Sequence, residues 1–422
     1  MTATGIRTPV AVAVAERPAH RDGNVLRWLA AYTASMMGDG IYFVALSWAA
    51  ARSGSPGQAG LVLALGAVPR AALMLGGGVV ADRFGPRRVV IGSDAVRCAV
   101  ILGVAALLFV STPGIWLLGA VALVFGAVDA LFVPSVGALP PRLTSPGQLG
   151  RVQGMRGLGQ RVALVVGAPL GGLTVAVGGS SAAFAVAGVL FAVSLPLLFA
   201  VRLRELPPDD RAGPDGGTAR RQLADGLRYM RGHKILAPLL VTAGVAELGF
   251  TGPANIGLVL LVDERGWSAA GMGWIIAGFG VGAGSASLLI AVRGRIPRAG
   301  TVQSYGFMAG AASLASIGFA PSVALAALGS LGVGLCTGLS GALCAALLQT
   351  HCDPAYLGRV TSVTMLIAVG LAPLTYPVTG AAIGAWGIGP VFVASAALSA
   401  AGGVYALCSR ALRRAELPCQ DA

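Results

Sequence analysis

About twelve apolar stretches of spanning length follow one another along the chain, separated by short polar connections. They cover residues 28–50, 59–80, 89–109, 116–139, 157–177, 182–201, 235–262, 271–292, 301–319, 323–348, 360–383 and 390–408. Each is predicted to be a helix, because in lipid the backbone must satisfy its own hydrogen bonds. Basic residues mark alternate connections: Arg83, Arg87 and Arg88; Arg142, Arg151 and Arg156; Arg202 through Lys234; Arg293, Arg295 and Arg298; Arg359; and Arg410, Arg413 and Arg414. The intervening turns hold Arg52 and Arg265. Since Lys and Arg collect on the cytoplasmic side, both termini are expected inside, in agreement with an even number of spans.

The chain divides in the middle, where residues 202–234 are polar and rich in Pro, Asp, Gly and Arg. The boundaries read from this pattern are a cytoplasmic tail (1–27), a six-helix bundle (28–201), a linker (202–234), a second six-helix bundle (235–409) and a tail (410–422). Within the linker, residues 219–230 can form a short helix on the membrane face. The halves look like repeats. Residues 145–152 read SPGQLGRV and residues 353–360 read DPAYLGRV, an offset of 353 − 145 = 208. Each LGRV opens a span that later carries Ala-Pro-Leu, at 168–170 and at 372–374, and the same offset of 208 separates Asp39 from Glu247.

Composition narrows the function. With 55% hydrophobic and 11% charged residues, the chain is far from the quarter or so of charged residues in a soluble domain. The net charge of +13 is spread over several loops, which fits positive-inside topology and not a nucleic-acid stripe. The first apolar run follows a polar leader without a small-residue cleavage site, so no removable signal peptide is expected. The six cysteines lack pairing or metal spacings and read as free thiols. His20, His233 and His351 are too scattered for a metal site or a triad, so neither cofactor, metal nor enzymatic activity is expected. Gly278, Gly280, Gly282 and Gly284 imitate a phosphate loop but lie inside an apolar span, where helix packing explains them.

Residues 78–88 read GVVADRFGPRR. This resembles the G-x-x-x-D-R-x-G-R-R signature of the major facilitator superfamily between spans 2 and 3, with Gly78, Asp82, Arg83, Gly85 and Arg87 on the family's positions and Pro86 replacing an arginine. The resemblance implies an all-α membrane protein of twelve transmembrane helices in two pseudo-symmetric six-helix bundles, and gives the motif the role of a latch on the outward-facing state. Gly38-Asp39-Gly40 in span 1 is similar to the opening helix of the drug-exporting, proton-antiporting members, in particular the macrolide- and siderophore-exporter-like branch. Residues 167–172, GAPLGG, resemble the antiporter motif G-P-x-x-G-G with Ala168 inserted. The antiporters' span 4 arginine is absent, and Asp129 stands in that region instead.

Ionisable groups inside spans are costly and are candidates for function. Asp39 and Arg70 lie about 15 Å deep from the cytoplasmic ends of their spans and are expected to pair, either as a structural bridge or as a gate. Asp129 and Arg161 lie at comparable depth and are expected to neutralise each other, while Asp94 and Arg97 form an i,i+3 pair read as structural. Glu247 has no evident basic partner in its half, so the apolar span should favour its neutral acid. After it, Gly249, Thr251, Gly252, Pro253 and Asn255 suggest an interrupted helix. Tyr42, Phe43, Phe250 and Asn255, with Trp48 and Trp274, can line a substrate cavity, although lipid-facing or core positions suit the aromatics equally. The reading that results is an exporter of a small lipophilic or amphiphilic compound, exchanging it for protons in the cell membrane as a monomer. A metabolite importer or uniporter, and a non-transporting receptor of the same fold, stay open.

Overall fold

The structure is a computed structural model that describes residues 19–111, 114–145, 148–203, 219–293, 298–353 and 356–415. The described elements are helical: α1 (Gly23–Ser53), α2 (Pro56–Phe84), α3 (Pro86–Val110), α4 (Ile115–Gly137), the short α5 (Pro140–Leu143), α6 (Leu149–Ala200), α7 (Ala219–Gly232), α8 (Leu236–Gly252), α9 (Leu258–Glu264), α10 (Ala269–Arg293), α11 (Ala299–Gly318), α12 (Val323–His351), α13 (Leu357–Gly370), α14 (Ala372–Trp386), α15 (Ile388–Cys408) and the short α16 (Arg410–Arg413). Among the described residues, nine helices are long and apolar enough to cross a membrane.

One of these nine, residues 151–200, makes two crossings. It reverses at Gly179, whose φ of 71° needs a residue without a Cβ. The seventh span is α8 and α9 joined through a π-helical turn at Pro253–Gly257. Pro253 removes the N–H that would close the preceding turn, so the hydrogen bonds widen instead of breaking. The interruption expected here is therefore a π turn in a continuous span. The eleventh span is α13 and α14, hinged at Leu371 before Pro373. Together with α2 and α11, the set reaches twelve. Both α6 and α13 begin at the leucine of their LGRV sequence.

Two bundles result. In the first, α1 packs along α6 and α2 along α4; in the second, α10 and α11 flank α12, and α15 bridges α11 and α8. The halves meet along α2 with α14 and along α6 with α10. Large apolar side chains such as Phe109, Val177, Trp116 and Trp386 point outward, an arrangement stable in lipid and unstable in water. The helix α7 lies against α13, with Tyr229 stacked on Tyr356 at 4.3 Å between ring centroids. The glycines at 278, 280 and 282 do pack against neighbouring helices: a Cβ on Gly278 would meet the Ala327 carbonyl, and one on Gly282 the Leu331 carbonyl.

Candidate functional site

The intramembrane carboxylates of the first half converge on one side chain, Arg97. It is held by three carboxylates: Asp39 at 3.4 Å, Asp94 at 3.5 Å, and Asp129, which receives its second guanidinium nitrogen. The approach is set by helix geometry. Ser35 and Asp39, one turn apart on α1, face Asp94 and Arg97, nearly one turn apart on α3. Ser35 donates to Asp94 at 2.9 Å, and Ser194 from α6 donates to its other oxygen. The guanidinium also lies over the Phe132 ring, 4.1 Å from its centroid, an attractive placement for a cation away from water.

Arg70 joins through Asp129, at 3.7 Å. The cause lies one turn away, where Gly66 and Gly126 let α2 and α4 touch through the backbone: a Cβ on Gly126 would strike the Gly66 carbonyl. Four residues after Gly66 comes Arg70, and three after Gly126 comes Asp129, so the contact brings the two charges together. The cluster then holds three carboxylates and two guanidinia, 2 − 3 = −1 when all are ionised. Its exposure is graded. The Asp94 and Arg97 side chains are 0% exposed, whereas Asp129 is 21% and Asp39 25%.

That gradient faces a cavity of about 480 Å³ between the two halves. Asp39, Phe43 and Arg70 line it from the first half, and Phe250, Asn255 and Tyr376 from the second. Asn255 is fixed by donating to the Thr251 carbonyl at 2.8 Å, and the Thr251 hydroxyl donates to Glu247 at 2.7 Å. The three residues, each four apart, make a polar ladder along the seventh span that ends inside the π turn, at Asn255. No ion pair to Glu247 is present among the described residues.

Several sequence expectations change. The Asp39–Arg70 pair is replaced by Asp39–Arg97 and Arg70–Asp129, because the closest backbone approach to α2 is that of α4, whereas α1 is reached by the long side chain from α3. Arg161 does not neutralise Asp129; it donates to Ser287 of α10, across the halves, since α6 is turned toward the second bundle there. Asp94–Arg97 is more than a local pair, and Arg97 belongs at the centre of the site. Its signal was its depth: 97 − 86 = 11 residues into α3, about 16 Å at 1.5 Å per residue. Tyr42 does not line the cavity but stacks on Phe125 at 3.8 Å in the core of the first bundle. Trp274 is exposed on the outer surface, and Trp48 carries Arg52 over its ring at 5.7 Å.

In the 78–88 motif, Gly85 takes a φ of 84°, open to glycine. Arg87 donates to the Phe199 carbonyl at 2.6 Å and the Leu198 carbonyl at 3.4 Å at the end of α6, and Arg83 lies over Phe84. The side chains of Gly78 and Asp82 lie outside the described residues. Cys98, Cys336, Cys344, Cys352 and Cys408 are free thiols. His233 and His351 are nearer than their spacing suggests. Partial burial and the neighbouring His351 lower the pKa of His233, and its Nδ1 accepts from the backbone N–H groups of Ile235 and Leu236 at 3.3 and 3.2 Å, capping α8.

Twelve spans in two bundles around a charged chamber of about 480 Å³ between them define a multi-pass membrane transporter of small molecules. The chain belongs to the Major Facilitator Superfamily, whose family model matches residues 28–371. It is 28% identical over 397 residues to the multidrug efflux pump Tap of Mycobacterium tuberculosis, covering 90% of this chain and 92% of that protein. It is 24% identical over 330 residues to the enterobactin exporter EntS of Escherichia coli, covering 77% of this chain and 75% of that protein. Among solved structures, the nucleoside transporter NupG superposes with a TM-score of 0.69 at 12% identity, over 92% of this chain and 99% of NupG. A bacterial homolog of the human lysosomal transporter Spinster, inward-facing and occupied, gives 0.69 at 14% identity, over 94% of this chain and 97% of that protein. Both structural likenesses concern the fold alone.

Proposed function

We propose that the protein exports a small lipophilic or amphiphilic compound from the cytoplasm in exchange for protons, by alternating access to the central cavity. The observation that carries this reading is the charge cluster on the cavity wall, with its three carboxylates and two guanidinia. The odd carboxylate leaves one negative charge uncompensated at low dielectric, and one proton neutralises it. Asp39, the carboxylate on the cavity wall, exchanges that proton with the cavity, while Asp94 and Arg97 hold the geometry and Arg70, also on the wall, follows the charge on the partly exposed Asp129. Glu247 is the matching acid of the second half. The apolar cavity lining around Phe43 and Phe250 supplies affinity for a lipophilic cargo without strict shape. The similarity to Tap and EntS, one a multidrug efflux pump and the other an enterobactin exporter, supports export.

On this reading both termini are cytoplasmic, the chain acts as a monomer in the plasma membrane, and residues 28–201 and 235–409 are the rocking units joined by the 202–234 linker. The Gly78, Asp82, Arg83, Gly85 and Arg87 motif latches their cytoplasmic faces. The test is substrate-driven proton movement in proteoliposomes, followed with a pH-sensitive dye. Asp39→Asn and Glu247→Gln should each abolish uphill export while sparing downhill exchange. An Asp39→Asn variant that concentrates substrate as the unmodified protein does would overturn the assignment of the cluster.

A further inference from the structure

A second cavity, of about 550 Å³, lies within the C-terminal half and is lined mainly by α8, α11, α12 and α13, with Phe279 of α10 and Ser399 of α15. It reaches from Glu247 and Phe250 at mid-span to Gln349 and Thr361, within two turns of the α12–α13 connection. Arg359, in the first turn of α13, belongs to the basic set expected on the cytoplasmic side. Among its described lining residues Glu247 is the one Asp, Glu, Lys or Arg side chain. The carboxylate accepts a hydrogen bond from Thr251, and a carboxylate has about four acceptor positions in all. Phe250, Phe279 and Phe307 add ring surface to the walls.

Phe250 and Phe279 also face the central cavity, and their rings stack at 6.0 Å between centroids. The two chambers therefore share a wall made by these two rings and Leu314. Their charge differs. The central chamber presents the guanidinium of Arg70 beside Asp39, whereas the second presents a lone acid among aromatic faces. An acid and π-faces on one cavity wall attract a monovalent cation with bulky apolar or aromatic groups.

We propose that this second cavity is a binding site for amphiphilic monovalent cations, with Glu247 as their counter-charge and the Phe250–Phe279 pair as the partition they cross to reach the central chamber. It deepens the exporter reading and rests on it for the direction of passage, but binding itself can be measured independently. Two variants address the site by different routes. Glu247→Gln removes the charge. Gly341→Leu fills the space, because a Cβ at Gly341, on the wall of this cavity, meets no atom within 4 Å, and leucine is a better helix former than glycine.

The experiment is equilibrium binding of radiolabelled tetraphenylphosphonium to the purified full-length chain in detergent at alkaline pH, beside neutral triphenylphosphine oxide. Two phosphonium ions per chain are expected. Each variant should lose one of them or weaken it at least tenfold, Asp39→Asn should leave that one in place, and Glu247→Gln should leave the neutral compound's affinity unchanged. Absence of phosphonium binding, a single ion indifferent to both variants, or equal loss of the neutral compound in Glu247→Gln would overturn the site. Proton exchange in vesicles separates the two readings. If exchange depends on Asp39 while binding ignores Glu247, the exporter reading stands and this site falls; if Glu247-dependent binding occurs without any proton exchange, the site stands and the exporter reading falls.

Discussion

Replacing Arg97 with methionine keeps the length and much of the apolar stem of the side chain and deletes its charge. Three carboxylates lose their shared counter-ion: Asp94, 0% exposed, cannot turn to water, and Asp129, 21% exposed, retains Arg70 at 3.7 Å. Breaking a buried ion pair from one side costs about 3–5 kcal/mol, roughly two to three and a half powers of ten in the folded ratio at about 1.4 kcal/mol per tenfold. Loss of the contact with the Phe132 ring adds to it. The cost is not spread evenly. Asp94 is tied to Arg97 and two serine hydroxyls without access to solvent, so Arg97→Met with Asp94→Asn should recover a coupling of about 0.5–3 kcal/mol. Asp39, 25% exposed toward the cavity, can be relieved by water or a proton, so Asp39→Asn should recover less. Thermal melts of the purified protein in detergent give the full cycle. If Arg97→Met melts with the unmodified protein, or the paired losses are strictly additive, Arg97 is not the hub and the division of the cluster into a holding end and an exchanging end is wrong.

At the interface between the halves, Gly60 of α2 faces the backbone of α14: a Cβ there would lie 2.7 Å from the Tyr376 carbonyl and 3.1 Å from the Pro377 Cα. Gly60→Val should therefore wedge the halves apart at a cost of about 1–3 kcal/mol and cut vesicle transport severalfold with insertion retained; full transport by this variant would show that the contact is not needed. Stability should also fall on mild acidification through His233. Its folded pKa lies below the ordinary 6.5, so as pH drops past that value the unfolded chain takes up the proton first and unfolding is favoured, with the contribution fully regained above it. Melts at pH 7.5 and 5.5 should differ less in His233→Asn, whose side-chain oxygen can cap α8 without titrating; an unchanged pH dependence would assign the effect elsewhere.

Span number, the two halves, the linker helix and the family likeness were legible in the one-dimensional order of residues, because lipid imposes a length and a polarity on each crossing independently of its neighbours. Asp39, Asp129 and Glu247 could be picked out in the same way, since a charge inside an apolar run is expensive wherever the run packs. Partners were another matter. Arg97 passed as half of a local pair with Asp94, although the chain folds to place Asp39 and Asp129, from two other helices, against the same guanidinium. Arg70 was assigned to Asp39 on depth alone, and depth fixes a position along the membrane normal but not the rotation of a helix about its axis. That rotation was decided by backbone contact between Gly66 and Gly126, two glycines with nothing in their identity to mark them among the 63 in the chain. Tyr42 shows the same limit: it adjoins Phe43 in sequence, yet about 100° of helical turn puts one in the core against Phe125 and the other on the cavity wall. Which charges meet and which faces line a chamber depend on how helices approach and turn, and close packing settles that only in three dimensions.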